Sequence, residues 1–451
     1  MTSHAARSSL RFIVTLCVSL FLLSFSDRAS AYPWMIRNDN PACFACHADP
    51  SGGGLLTAYG RAAGENWLAM QWDKLRYVST TKKMLRGQVT RPQAKQDEEA
   101  SGDDAEGTPD ESMTYGRGTK FLWGLLPLPD SVLLGGDFRP AYVNMSTAPA
   151  SAGGVSTGGW KFYMMQADLE GQVAYDRLRV NGSIGYDDTG SAKAADITNW
   201  QGGNLVSRVH WVGADLGANR EWTVRVGHMN VPFGIRSIEH ELWIRQTTQT
   251  DINQNQEDGV AVAYNGHGVR GEVMGVIGNL QISPQQYRER GYVGYVEYAA
   301  TRRLAIGVDS LVMYADNDVL LNDVSAYRQA HGAFVRWSPI PLLYFSGEGA
   351  MVYNSTQQQS TGGYVGTFQV DVEPIIGVHL EGTAEASNMP GSPATLVLNK
   401  PAFDYWGTLA WFFASHADLR VDLAYETLPP AVTGGPGTGT TVLVGQLHLY
   451  L

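Results

Sequence analysis

Two cysteines and a histidine stand together at Cys43-Phe44-Ala45-Cys46-His47. The C-x-x-C-H order is the attachment pattern of c-type haem. At this spacing two thiols reach the two vinyl groups of one porphyrin, while the adjacent imidazole approaches the iron from one face. The sequence therefore predicts one covalent haem c, held by Cys43 and Cys46, with His47 as the proximal iron ligand. Other chemistries suit these residues less well. A disulfide closing so short a loop adds little to the stability of a chain of 451 residues. Zinc needs further soft ligands nearby, and a redox dithiol needs a βαβ setting; the surrounding sequence offers neither.

The second axial position has several candidates. Met35, Met70 and Met84 are the nearby thioethers, and thioether ligation raises a haem's potential. Met70 stands out because the segment 65–77 (ENWLAMQWDKLRY) predicts a helix able to fold back over the ring. Methionine is also a common core filler. His379 or His448 from later strands, or a five-coordinate iron, are the alternatives. Between the motif and this helix, Gly52-Gly53-Gly54 would let backbone pass close to a porphyrin edge, with Leu55, Leu56 and Tyr59 to cover it. Arg61 reads either as a propionate partner or as an exposed arginine.

The elements that must carry this motif follow from the rest of the chain. Arg7 and Arg11 precede and open the apolar stretch 12–25 (FIVTLCVSLFLLSF), and Ala29-Ser30-Ala31 follows it. This pattern predicts a cleaved export signal over residues 1–31, consistent with haem c attachment outside the cytoplasm. Cys17 lies inside the signal after Leu16, where lipidation would want a small residue. No later run approaches the roughly 20 apolar residues of a membrane helix. With 51 Gly, 21 Tyr and 12 Trp but only 17% charged residues, the remainder suits strands better than helices. A net charge of −11, with no basic patch to neutralise phosphates, argues against nucleic acid as a partner.

From Ser131 onward, segments of about ten residues alternate apolar and polar, the signature of outer-membrane strands. In 443–451, Leu443, Gly445, Leu447, Leu449 and Leu451 oppose Val444, Gln446, His448 and Tyr450. Leu419, Val421, Leu423 and Tyr425 oppose Arg420, Asp422 and Glu426, while Ile376, Val378 and Leu380 oppose His379, Glu381, Thr383 and Glu385. About sixteen strands are predicted, starting near 131, 158, 176, 206, 220, 258, 267, 289, 302, 325, 341, 361, 375, 402, 417 and 440. Tight joints such as Tyr175-Asp176-Arg177 and Ser415-His416-Ala417 alternate with long polar ones such as 188–205 and 229–257. That rhythm belongs to an antiparallel barrel with periplasmic turns and external loops, and an even strand number puts both ends on the periplasmic side. Trp200, Trp211, Trp222, Trp243, Trp337, Tyr344, Tyr405, Trp406 and Trp411 fall near segment ends, as interfacial girdles would. Residues 92–112 are acidic and almost free of apolar side chains, which reads as a solvated linker. The expected organisation is a signal (1–31), a partly helical monohaem module (32–91), an acidic linker and lead-in (92–130), and an all-β outer-membrane barrel (131–451).

A leading C-x-x-C-H module before a sixteen-strand barrel resembles the fused cytochrome–porins, above all the outer-membrane iron-oxidising monohaem cytochromes. The residues that carry the likeness are Cys43, Cys46 and His47, then Leu55-Leu56-Thr57-Ala58-Tyr59-Gly60-Arg61. The stretch Pro50-Ser51-Gly52-Gly53-Gly54 looks more like a wider group of haem-tagged porins. The resemblance implies electron transfer between an extracellular donor or acceptor, Fe(II) among the candidates, and a periplasmic c-type cytochrome. It would make the chain an electron carrier, with iron–cytochrome oxidoreductase as the enzymatic form of that role. One haem cannot span a hydrocarbon layer of roughly 25 Å, so it would have to sit inside the lumen. The alternative is a diffusion porin with a haem-bearing plug or sensor at its N-terminus. Val231-Pro232-Phe233-Gly234-Ile235-Arg236, with Glu239, His240 and Arg245, is similar to a loop of some anion-type porins. It would either fold inward as a constriction or lie on the surface. Asp251, Asn253, Asn255 and Glu257 mimic the start of a calcium loop, but Gln256 stands where glycine is required.

Overall fold

In hydrocarbon every backbone polar group must be bonded within the protein, and strands achieve this only as a closed sheet. The chain, seen in a computed structural model, closes such a sheet. The structure describes residues 33–39, 43–70, 121, 128–129, 131–148, 159–187, 195–198, 203–239, 242–278, 289–318, 324–357, 360–388, 401–428 and 438–450. The expected signal (1–31), Met84, the acidic stretch 92–112, Trp200 and His240 lie outside these residues.

The barrel has sixteen antiparallel strands. The first eight are β1 (Val132–Ala148), β2 (Trp160–Tyr175), β3 (Leu178–Asp187), β4 (Asn204–Ser207 continued by His210–Leu216), β5 (Trp222–Asn230), β6 (Gln256–Gly266), β7 (Val269–Gly278) and β8 (Glu289–Thr301). The second eight are β9 (Leu304–Asp318), β10 (Val324–Ile340), β11 (Leu343–Thr356), β12 (Ser360–Ile375), β13 (Val378–Asn388), β14 (Ala402–Ala414), β15 (Ala417–Leu428) and β16 (Thr438–Tyr450). β4 is one bent strand, since both of its segments pair with β3. A two-residue strand, Ala195–Asp196, only extends its loop end. Each strand pairs with its neighbour in sequence, and β1 closes on β16 from Asp137↔Tyr450 to Ala148↔Gly439.

Side-chain parity follows the sequence pattern. On β15, Arg420 and Asp422 are buried in the lumen, while Leu419, Val421, Leu423 and Tyr425 stand exposed on the outer wall. On β16, Val444, Gln446, His448 and Tyr450 point inward and are buried. Tight turns join β2 to β3, β6 to β7, β12 to β13 and β14 to β15, and left-handed residues at Asp176, His267, Gly377 and His416 make them possible. Long connections occupy the opposite rim. A closed barrel with an apolar exterior is an outer-membrane protein.

Four of the aromatics expected in the interfacial girdles are not there. Trp211, Tyr344 and Trp406 are buried in the lumen, and Trp243 belongs to an inward loop. Parity decides the face, and Trp211, Tyr344 and Trp406 fall on inward positions. Trp222, Trp337 and Tyr405 do stand exposed on the outside.

Candidate functional site

The C-x-x-C-H motif is a tight turn inside the barrel. The backbone N–H groups of Cys46 and His47 both donate to the Cys43 carbonyl at 3.2 Å. The chain then doubles back: Ala48 N–H donates to Leu55 O and Thr57 N–H to Cys46 O, each at 2.9 Å. The Thr57 hydroxyl caps a short helix, α1 (Ala58–Ala63), by accepting from Gly60 N–H. Gly60 lies against the motif so closely that a Cβ there would fall 2.2 Å from the Cys46 carbonyl oxygen. Only glycine fits.

This segment plugs the lumen, and charge pairs hold it there. The Arg37 guanidinium, at the end of a 3₁₀ turn (Pro33–Asn38), pairs with Asp371 and Glu373 of β12. Burial opposes its charge, but the two carboxylates overcome burial and raise its pKa. The Asp49 carboxylate meets Arg225 of β5 at 3.1 Å. Burial alone would push the Asp49 carboxyl up; Arg225 and Arg236 hold it below the usual carboxylate range. Glu170 of β2 accepts from Leu55 N–H at 3.0 Å. Trp34 lies on the His379 ring with centroids 4.2 Å apart. The plug meets the turn-bearing rim at several points: Arg303, beside the β8–β9 turn, bonds Asp39 at 2.7 Å, and Met70 N–H donates to Phe412 O at 2.8 Å.

The loop between β5 and β6 covers the plug from the other side. It is the inward constriction anticipated as one of two possibilities for Val231–Arg236. Val231, Phe233, Leu242 and Ile244 are buried with lumen side chains. Arg245, on the helix α2 (Trp243–Thr248), pairs with Glu348 of β11, and Glu239 pairs with Arg420 of β15. Arg236 donates to the Ser51 hydroxyl of the plug from Nε (3.2 Å) and Nη2 (3.0 Å). Asp251 accepts from the N–H groups of Asn253 and Gln254, which makes this stretch a turn.

Plug, loop and wall line a partly open cavity. The plug lines it with Met35, His47, Gly53, Gly54, Leu56 and Leu68; the loop with Arg236, Ile238 and Ile252; the wall with Asp137, Arg139, Arg208 and His448. His47 is half-buried and its Nδ1 lies 3.2 Å from the Gly54 carbonyl. That contact favours the tautomer protonated at Nδ1, so the lone pair sits on Nε2. Cys43 and Cys46 are buried and not bonded to each other. Burial and the neighbouring Cys43 push the Cys46 thiol well up. His47 borders this cavity, while Cys43 and Cys46 lie buried beside it and do not line it.

Some expectations change. The helix expected over 65–77 is, among the described residues, a single π-turn (Gly64–Leu68) that ends in extended backbone at Ala69. Met70 is tied to the β14 end and does not line the cavity. Arg61 is buried and donates to the Leu134 carbonyl of β1, so it is not a surface arginine. His379 borders a separate cavity with Trp34 and Arg420. Sequence reasoning missed the anchors Arg37, Asp49, Ser51 and Arg236. The available signal was two charges, Arg37 and Asp49, flanking an otherwise weakly charged motif.

The barrel resembles solved outer-membrane proteins. OmpT of Vibrio cholerae, outer-membrane expressed, matches with a TM-score of 0.51 at 9% identity over 72% of this chain and 100% of that one. An anion-selective porin from Comamonas acidovorans matches with a TM-score of 0.50 at 12% identity, over 71% and 99%. The fold is that of an outer-membrane porin. No protein-family profile and no curated protein matches the sequence.

Proposed function

We propose that this chain is a porin-type channel protein whose lumen is closed by its own N-terminal segment, and that this segment carries one covalent haem c. The observation that carries the reading is the C-x-x-C-H turn lodged inside a porin-type barrel, with His47 bordering a partly open cavity. The residue types of the motif suit the group. Cys43 and Cys46 would supply the thioethers, and His47 the iron ligand. Metal-binding histidines usually donate their other ring nitrogen to a carbonyl or carboxylate, as His47 does to Gly54. The cavity beside the motif is lined by Leu56 and Leu68, by Arg139, Arg208 and Arg236, and by the carboxylates Asp137, Asp168 and Glu170, with neither cysteine on its wall. Bound haem would supply one-electron exchange; the protein's part is to bury it and set its potential.

A pyridine haemochrome spectrum and intact mass of the purified protein test the haem. Liposome swelling tests the channel. The full-length protein is expected to pass little solute, and a variant lacking residues 33–70 to pass much more. Equal permeability of the two would refute the plug.

A second reading, electron transfer between an extracellular donor or acceptor such as Fe(II) and a periplasmic c-type cytochrome, is favoured by one observation: the C-x-x-C-H turn sits inside the lumen, with the inward loop packed against it. It predicts reduction of an internal haem reporter by an impermeant external reductant without solute leakage. Leakage without such coupling would leave the porin reading alone.

A further inference from the structure

Five consecutive strands, β11 to β15, carry nine carboxylates and, histidines aside, a single cation, Arg420. Alternation turns all nine towards the lumen, and Glu348, Asp371, Glu373, Glu385, Asp404 and Asp422 are buried there. Strand register lines up three of them. Glu385, Asp404 and Glu426 stand directly opposite one another across β13, β14 and β15. Like charges so placed repel, and among the described residues none of the three forms an ion pair with a basic side chain. We propose that the pore opened by withdrawal of the plug selects small cations, which pass along the β11–β15 sector of the wall, an assignment that rests on the channel reading above.

The pattern of ion pairs decides the sign of the field. Elsewhere on the wall the arginines are neutralised by wall carboxylates. Arg179, Arg208, Arg225 and Arg328 pair with Asp215, Asp168, Glu272 and Glu289, while Arg270 and Arg336 share Glu297. These contacts join strand to strand and outlast the departure of the plug. Arg139 is bonded to the Ile238 carbonyl and to Gln446. In the acidic sector the counter-cations come instead from the segments that close the lumen: Arg37 of the plug on Asp371 and Glu373, and Arg245 of the loop on Glu348. Arg420 belongs to the wall, but Glu239, Glu381 and Asp422 share it. When the plug leaves, Asp371 and Glu373 lose Arg37 and keep His379 beside them. Arg236 is released from Ser51 at the same time, yet the cavity it lines includes no residue of β11–β15. A water-filled lumen with carboxylates along one sector concentrates cations and excludes anions, as acidic rings do in cation channels.

The test uses the full-length protein in planar bilayers, with Arg37→Met added to favour the open state. Should that variant stay shut, the variant lacking residues 33–70 supplies the openings. Heat-modifiable migration on a gel checks that each barrel is folded. Reversal potentials under a KCl gradient give the K⁺ to Cl⁻ permeability ratio of the openings. At about 0.1 M salt, where the Debye length is roughly 10 Å, K⁺ should be favoured about tenfold. At about 1 M salt the preference should shrink towards unity. Adding Glu385→Gln/Asp404→Asn/Glu426→Gln should lower the ratio severalfold while conductance persists. A ratio at or below one in the dilute salt, or a ratio unmoved by removal of the three carboxylates, would overturn the inference and leave the plugged channel standing. A folded barrel that lacks 33–70 and never conducts would overturn the channel reading itself, and the inference with it.

Discussion

Arg37 is the anchor whose removal should release the plug. Its guanidinium is fully buried between Asp371 and Glu373, which are themselves 1% and 3% exposed. Solvent therefore screens the pair very little. Replacing Arg37 with Met keeps most of the apolar stem over Trp34, where the guanidinium carbon lies 5.4 Å from the ring centre. What is lost is the charge, and two buried carboxylates are left to face each other. Breaking a buried pair from one side costs about 3–5 kcal/mol. His379, 3.0 Å from Asp371, compensates one carboxylate in part and sets the expectation near the lower figure, about 3 kcal/mol. At roughly 1.4 kcal/mol per decade, the docked-to-released ratio of the plug should fall about a hundredfold. Planar-bilayer conductance reads this directly, as a rise in open probability, and protease cleavage within 33–70 reads it independently. The triple variant Arg37→Met/Asp371→Asn/Glu373→Gln removes the stranded charges as well and should recover most of the loss, because neutral replacement of a buried pair is often close to neutral in stability. If the single and triple variants open equally, charge stranding is not what the arginine prevents. If neither opens, the plug is held elsewhere.

Three further expectations follow from the same geometry. Gly60→Ala places a methyl 2.2 Å from the Cys46 carbonyl oxygen, so the C-x-x-C-H turn cannot close against α1; haemochrome yield per barrel should fall severalfold, with heat-modifiability unchanged. Glu348→Gln removes the partner of Arg245 and weakens the acceptor for Ile235 N–H at 3.1 Å, so the inward loop should loosen by about 3 kcal/mol and add fast gating noise in bilayers. Noise-free traces would contradict the loop's anchoring. Leu423→Arg puts a charge on the outer wall in mid-strand and should lower barrel stability in urea by about 2–4 kcal/mol; an unchanged midpoint would mean that Leu423 does not face hydrocarbon.

The barrel was legible because its rules are local. Alternation with period two sets each strand, and the tight turns sit where Asp176, His267-Gly268 and His416 can take left-handed backbone. Predicted starts at 131, 289, 325, 402 and 417 stand beside observed starts at Val132, Glu289, Val324, Ala402 and Ala417. Which end of a strand holds an aromatic is also local, but its face depends on parity, and Trp211, Tyr344 and Trp406 were misread for that reason. The docking of the plug was not legible. Arg37 and Asp371 are 334 residues apart, and nothing within either segment names the other. The helix expected through Met70 shows the same limit: good helix formers give way once Met70 N–H finds the Phe412 carbonyl.

The plug's first and last described residues, Pro33 and Met70, contact Arg336 and Phe412, both towards the turn-bearing rim of the barrel. It is therefore a re-entrant excursion and not a thread drawn through the pore. Withdrawing it need not unzip the β1–β16 seam, so the molecule has a natural first step of partial melting in which an intact cylinder lets go of its contents. Calorimetry should resolve two endotherms, the lower one abolished by deleting 33–70 and the upper one shared by both forms.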